Sequence, residues 1–262
     1  MIKILEKLVI EDDKEVLEKA AKYSPTDMVE GIILDTRRLY LNRYHDLRVV
    51  SRVGVGTDNI DLDECKARGI KVYITPCREL TDAVAEFTLY LALALLRKNS
   101  RGRNLVGMTV GILGYGRIGS AVHELFHSLS CDVMRYDIDA SVDYGLEPKE
   151  QVLSCSRIVT IHSSGNEQVI GKEELEQMMD DSYLINTARA GCVDEYAVLD
   201  ALRSKKLAGF ATDVNELAGR FKLYNTVVTP HIASSTVEAR TAMERMAVKN
   251  LIKGLKSERN RS

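Results

Sequence analysis

The chain has 262 residues, of which 45% are hydrophobic and 28% charged, and its 36 Lys and Arg nearly balance 38 Asp and Glu. These values suit one large globular domain or two ordinary ones, and near-neutral charge removes the electrostatic case for nucleic acid or an anionic membrane as partner. Cys65, Cys77, Cys131, Cys155 and Cys192 are odd in number and form no CxxC pair, which argues against a disulfide framework or a zinc site and for a reducing cytoplasm.

The opening "MIKILEKLVIEDDKEV" turns acidic too early for a signal peptide. Helix is predicted over 12–23, strand over 29–34 and 47–51, helix over 61–69, strand over 70–75 and helix over 81–98. The last of these is apolar for about half the length a bilayer requires, so it reads as a buried helix. It runs into the polar link "NSRGRN". From 109 onward β-branched runs at 109–113, 131–136, 157–162, 182–188, 207–213 and 225–230 alternate with amphipathic stretches at 119–129, 172–179 and 194–206. Apolar strands alternating with helices predict a parallel sheet covered on both faces. Only a short loop, with no evident helix, joins 207–213 to 225–230. A strong helix over 235–256, with Ser or Thr available as its cap, returns to a first, smaller α/β domain. The expected layout is 1–98 plus 236–262 as one domain and 99–235 as the other.

"GILGYGRIG" places Gly114, Gly116 and Gly119 in GxGxxG spacing, directly after a strand and opening a helix. The first glycine makes the tight turn, the second admits a pyrophosphate and the third lets helix pack on strand, with the helix N-terminus facing the phosphate charge. Asp137 ends the next strand, where its carboxylate accepts from ribose hydroxyls and repels a 2′-phosphate. NAD is therefore the expected cofactor, rather than NADP.

Arg189, Asp213 and His231 each follow or end a predicted strand, and His162 sits at a fourth strand end. In an open parallel sheet these carboxyl ends form one ligand-binding edge. An arginine and a histidine beside a nicotinamide suit hydride transfer to a 2-oxo acid. The guanidinium bridges carboxylate and carbonyl oxygen, and the protonated imidazole supplies the proton. A methyltransferase also uses a glycine-rich turn, but would leave this pair unexplained.

With these motifs in view, the chain resembles the D-isomer-specific 2-hydroxyacid dehydrogenases, from about residue 29 onward. "RVGVGTDNIDL" resembles the substrate loop, which implies that amides near Val55 and Gly56 receive the substrate carboxylate. "TDAVAEFTL" resembles a helix bordering the cofactor, and "GYGRIG" with Asp137 the fingerprint, with Arg117 and Ile118 lining the cofactor. "INTARAGCVDE" implies Arg189 as the catalytic arginine, with Thr187 and Ala188 beside the nicotinamide. "ATDV" implies that Asp213 meets the carboxamide, and "TPHIASST" that His231 is the acid-base histidine. His162 is kept with the cofactor contacts. The resemblance implies a Rossmann doubly wound domain binding NAD and a smaller flavodoxin-like α/β substrate domain.

The departures also carry expectations. The family's catalytic glutamate falls five residues after the aspartate, which is Ala218 here; Glu216 is the one acid left between Asp213 and His231, and is the candidate to orient the histidine. The helical excursion that commonly serves the family dimer is cut to "NSRGRNLV", so a monomer or a different dimer is expected. "HSSGNEQVIG" is also shorter than the family's loop. Two readings stand on the sequence: an NAD-dependent oxidoreductase interconverting a small 2-hydroxy acid and its 2-oxo acid, or a catalytically weak NAD-binding redox sensor or scaffold.

Overall fold

The computed structural model describes residues 2–4, 29–98, 102–139, 141, 145–215 and 225–259. The helix predicted over 12–23 lies outside the described residues. The chain divides into two compact units, Met1–Leu80 with Ser235–Ser262, and Thr81–Ser234.

In the first unit four parallel strands, β1 (Ile2–Ile4), β2 (Gly31–Leu34), β3 (Val49–Arg52) and β4 (Lys71–Tyr73), pair in that order. The flavodoxin order 2-1-3-4-5 expected of this domain also requires a strand on the far side of β1, and none is found there among the described residues. Alternation along the strands sends Ile32, Leu34 and Val50 into a core with Leu47, Ile60 and Ile70. Helix α1 (Leu62–Ala67) starts where the Asp61 carboxylate accepts the Glu64 amide at 2.8 Å, a cap worth about 1 kcal/mol. A late helix, which is α7 (Val237–Arg259), packs on β2 and β3 and buries Met243, Ala247 and Leu251.

Six parallel strands build the second unit: β5 (Thr109–Leu113), β6 (Asp132–Tyr136), β7 (Ile158–Ile161), β8 (Ser182–Asn186), β9 (Leu207–Thr212) and β10 (Thr226–Val228). Their order is β10-β9-β8-β7-β5-β6. Every residue of β7 and β8 is buried, as a sheet covered on both faces demands. One face carries α2 (Arg78–Arg97) and α3 (Arg117–Ser128), through Leu91, Leu95, Val122 and Phe126. The other carries α4 (Lys149–Cys155), α5 (Lys172–Gln177) and α6 (Glu195–Arg203), through Leu153, Leu175 and Val198. The least evident link of the sequence closes in parallel, with Thr226 beside Phe210.

Helix α2 departs from expectation. The sequence pattern assigns it to the first domain, but Leu91, Ala92, Leu95 and Leu96 pack against Val110, Ile112 and Phe126 of the second. The division therefore falls after Leu80, not after residue 98. Strand order reverses at β5, whose neighbours are β6 and β7. Such a reversal opens a crevice at the carboxyl ends of the two strands, the usual ligand position in open α/β sheets.

Candidate active site

At that reversal lies the glycine turn. Gly114 follows β5 with φ of 97°, a left-handed conformation costly for any residue with a Cβ. A Cβ there would also come within 2.7 Å of the His162 carbonyl carbon, and one on Gly119 within 2.1 Å of the Gly114 oxygen. Gly116 caps α3, and a Cβ on it would meet nothing within 4 Å. The turn is thus packed shut from below and open above, where the free first-turn amides of α3 point. Asp137 joins it: its Oδ2 accepts the Tyr115 amide at 2.6 Å and its Oδ1 the Asp139 amide at 2.9 Å. Arg117 is exposed and Ile118 half-buried on the first turn of α3. An open glycine turn, a helix N-terminus and a carboxylate held at the end of β6 fit a dinucleotide.

Beside the turn, His162 is buried, and burial pulls its pKa down to about 3, so the imidazole is neutral. Its neighbours fix the tautomer. Thr88 Oγ1 donates its single hydrogen to the Val84 carbonyl at 2.8 Å, so it must accept from Thr187, 3.3 Å away. The Thr187 hydroxyl then accepts from His162 Nδ1–H at 3.3 Å, and His162 Nε2 accepts from Thr160 at 3.0 Å. A directed hydrogen-bonded chain runs from β7 through the end of β8 to α2.

The segment after β8 is shaped by Asn186, which the sequence reading did not single out. Its Oδ1 accepts the Ala188 amide at 3.0 Å and its Nδ2 donates to the Arg189 carbonyl at 2.7 Å. That side chain folds residues 187–189 into a turn and presents Arg189, half-buried, with one guanidinium nitrogen on the Ala188 carbonyl at 2.7 Å.

Asp213 closes the sheet edge. It is 1% exposed, and its oxygens accept from Thr229 Oγ1 at 2.6 Å, the Ile232 amide at 2.9 Å and the Ala233 amide at 2.7 Å. His231 lies between these partners, exposed, with φ of 58°. It stands three residues beyond β10 in a turn, rather than at a strand end. Among the described residues its imidazole has no hydrogen-bond or ion-pair partner. The expected role of Asp213 toward the carboxamide is therefore joined by a visible one, the staple of the histidine loop. Glu216 lies outside the described residues.

Val55 and Gly56 belong to the first unit, in the loop after β3, half-buried, and their amides have no partner among the described residues. No group of three metal-ligating side chains is found among the described residues. No described helix is long and apolar enough to cross a membrane.

Sheet order, glycine turn and held carboxylate define a dinucleotide-binding α/β protein of the doubly wound class. The family model described as "D-isomer specific 2-hydroxyacid dehydrogenase, NAD binding domain" matches residues 79–233, more than half of the chain. A glyoxylate reductase of Thermofilum pendens is 35% identical over 269 aligned positions, covering 89% of this chain and 77% of the relative. A 2-ketogluconate reductase of Gluconobacter oxydans is 34% identical over 79% of this chain and 76% of its own. Among solved structures, the TT0316 protein from Thermus thermophilus matches with a TM-score of 0.83 at 26% identity, over 98% of this chain and 97% of its own. The chain belongs to the D-isomer specific 2-hydroxyacid dehydrogenase family. It is an NAD-dependent oxidoreductase that interconverts 2-hydroxy and 2-oxo acids.

Proposed function

We propose that Arg189 and His231 carry this reaction on a small 2-oxo acid, with glyoxylate the first substrate to try. The observation that bears most weight is the shared edge: the glycine turn, the Asn186-shaped turn and the Asp213-stapled loop all follow carboxyl ends of one sheet.

NAD, when bound, supplies or accepts the hydride. Gly114, Gly116, Gly119, Arg117, Ile118 and Asp137 hold its pyrophosphate and ribose side; His162, Thr187, Ala188 and Asp213 border its nicotinamide side. The amides of Val55 and Gly56 receive the substrate carboxylate. The Arg189 guanidinium bridges carboxylate and carbonyl oxygen, and its charge stabilises the alkoxide as it forms. His231 gives the imidazolium proton to that oxygen on reduction and takes it back on oxidation. Glu216 orients the histidine and favours its charged form.

The first unit with α7 serves the substrate and the second serves NAD. The protein works in the cytoplasm, without nucleic acid or membrane partners, as a monomer or as a dimer unlike the usual family one.

The test is NADH oxidation at 340 nm against a panel of 2-oxo acids for wild type, His231→Ala and Arg189→Lys. Both substitutions should cost about 10²–10⁴ in kcat/KM. Wild-type turnover in His231→Ala would remove the histidine from the mechanism.

A further inference from the structure

The first unit holds a cluster of charge that the reaction does not use. Glu244, on α7, is fully buried, and its Oε1 accepts from one guanidinium nitrogen of Arg240 at 2.8 Å. The other terminal nitrogen of Arg240 meets Asp35 Oδ2 at 2.6 Å. Asp35, just past β2, turns its Oδ1 to Arg52 Nη1 at 3.4 Å, and Arg52 Nε donates to the Gly56 carbonyl at 3.0 Å. The relay therefore begins on α7 and ends on the loop that offers the Val55 and Gly56 amides. Burial opposes the charge on Arg240, but Asp35 and Glu244 outweigh it and raise its pKa above the ordinary value.

Two cations and two anions withdrawn from water do not, as a rule, add net stability; apolar groups of similar volume do as well. Their balance also means that the relay offers no net positive field to attract a substrate. What it does fix is geometry. The loop is tied at its start, where Gly54 N donates to Thr75 Oγ1 at 2.6 Å and Thr75 N to the Gly54 carbonyl at 2.9 Å. Gly54 has φ of 130°, and a Cβ there would stand 2.6 Å from Arg52 Nη1, so the guanidinium fills the space beneath the loop. Arg52 then ties its far end through the Gly56 carbonyl. Between these ties the Val55 and Gly56 amides are left without a partner among the described residues.

We propose that Arg52, Asp35 and Arg240, backed by Glu244, are positioning residues for substrate: they hold the 53–57 loop so that the Val55 and Gly56 amides face one carboxylate. The inference rests on the reading of those two amides as the carboxylate site. None of the four side chains touches the reacting atoms.

Two variants test it in the NADH-loaded protein. Arg52→Lys keeps a charge toward Asp35 but cannot reach the Gly56 carbonyl as well; Asp35→Asn keeps the shape and breaks the relay in the middle. With glyoxylate as probe, KM should rise about tenfold while kcat stays within about threefold, the pattern of lost uniform binding. NADH affinity should not change, and hydrogen exchange at the amides of residues 54–56 should quicken about tenfold or more. Folded variants with wild-type loop exchange and wild-type KM would overturn the proposal. If the wild type oxidises no NADH with any 2-oxo acid, the reading of the amides falls. Loop exchange in the same variants still decides whether the relay holds the loop.

Discussion

Asp213 grips the main chain on the far side of His231: its carboxylate takes the amides of Ile232 and Ala233 while the histidine before them is held at φ of 58°. A left-handed residue other than glycine costs on the order of 1–3 kcal/mol and persists only where its surroundings over-determine it. Asp213→Asn keeps the size but offers one accepting oxygen and an amino group that faces other donors. We expect kcat to fall about 10²-fold, and NADH affinity to fall much less, by about tenfold at most through the carboxamide contact. Steady-state kinetics with a fluorescence titration of NADH would check both. A parallel loss of affinity would return Asp213 to the carboxamide alone.

His162 makes stability depend on pH. Its pKa falls from 6.5 to about 3 on folding, so between those values the unfolded chain binds a proton that the folded one refuses. Stability is full above about pH 6.5 and declines as pH drops toward 3, by about 1.4 kcal/mol per unit. Urea denaturation should show about 2 kcal/mol lost between pH 7 and 5 from this group, and His162→Asn should flatten that slope. An equally steep profile in the variant would place the acid sensitivity elsewhere.

The two later glycines of the turn should respond differently to alanine. Gly119→Ala forces a methyl to within 2.1 Å of the Gly114 oxygen, and overpacking of that order costs about 1–3 kcal/mol or more. Gly116→Ala meets no atom within 4 Å at an ordinary φ of −77°, so melting temperature should hold while NADH binding weakens about tenfold or more. Thermal melts paired with NADH titration separate the two. Unchanged NADH affinity in Gly116→Ala would take the turn out of the cofactor site.

Asp137→Ala removes both the proposed ribose partner and the acceptor of the Tyr115 amide. The KM for NADH should rise about 10–100-fold, and the preference over NADPH should shrink because the repulsion of a 2′-phosphate is gone. Paired kinetics with the two cofactors would show it; a preference for NADH left intact would mean that discrimination lies in other residues.

Much of the fold was legible because the strands carry it. Runs such as "TVGIL" and "RIVTIH" are too short and too β-branched to be helices, and both form strands where predicted. The glycine turn was legible because its chemistry dictates its spacing. Helix α4 and strand β1 escaped notice, being seven and three residues long, too little for a period to register. The allegiance of α2 was hidden for another reason: so apolar a helix does not announce which sheet it covers. In the site, it could be read that Arg189, Asp213 and His231 follow strands of one sheet, but not that His231 stands in a turn beyond β10, nor the direction of the Asp213 carboxylate. Asn186 shapes the turn two and three residues on, and Thr160 meets His162 two positions along the chain; these local contacts went unread, whereas Thr88 acts through a partner fixed only by tertiary packing. Thr88 meets Thr187 from 99 positions away, and local sequence has no mark for such a contact.

The first unit is assembled from the two ends of the described chain, whereas Thr81–Ser234 is one continuous stretch. During synthesis the sheet β1–β4 emerges before the second unit, and the helix that packs on β2 and β3 after it. Domains fold as units while the ribosome works, so the continuous unit, though second to appear, has all its parts sooner. Until α7 is made, β2 and β3 lack the helix that packs on them. Asp35 and Arg52 leave the ribosome some 200 residues before Arg240 and Glu244, and for that interval the nascent chain is most dependent on whatever shields it.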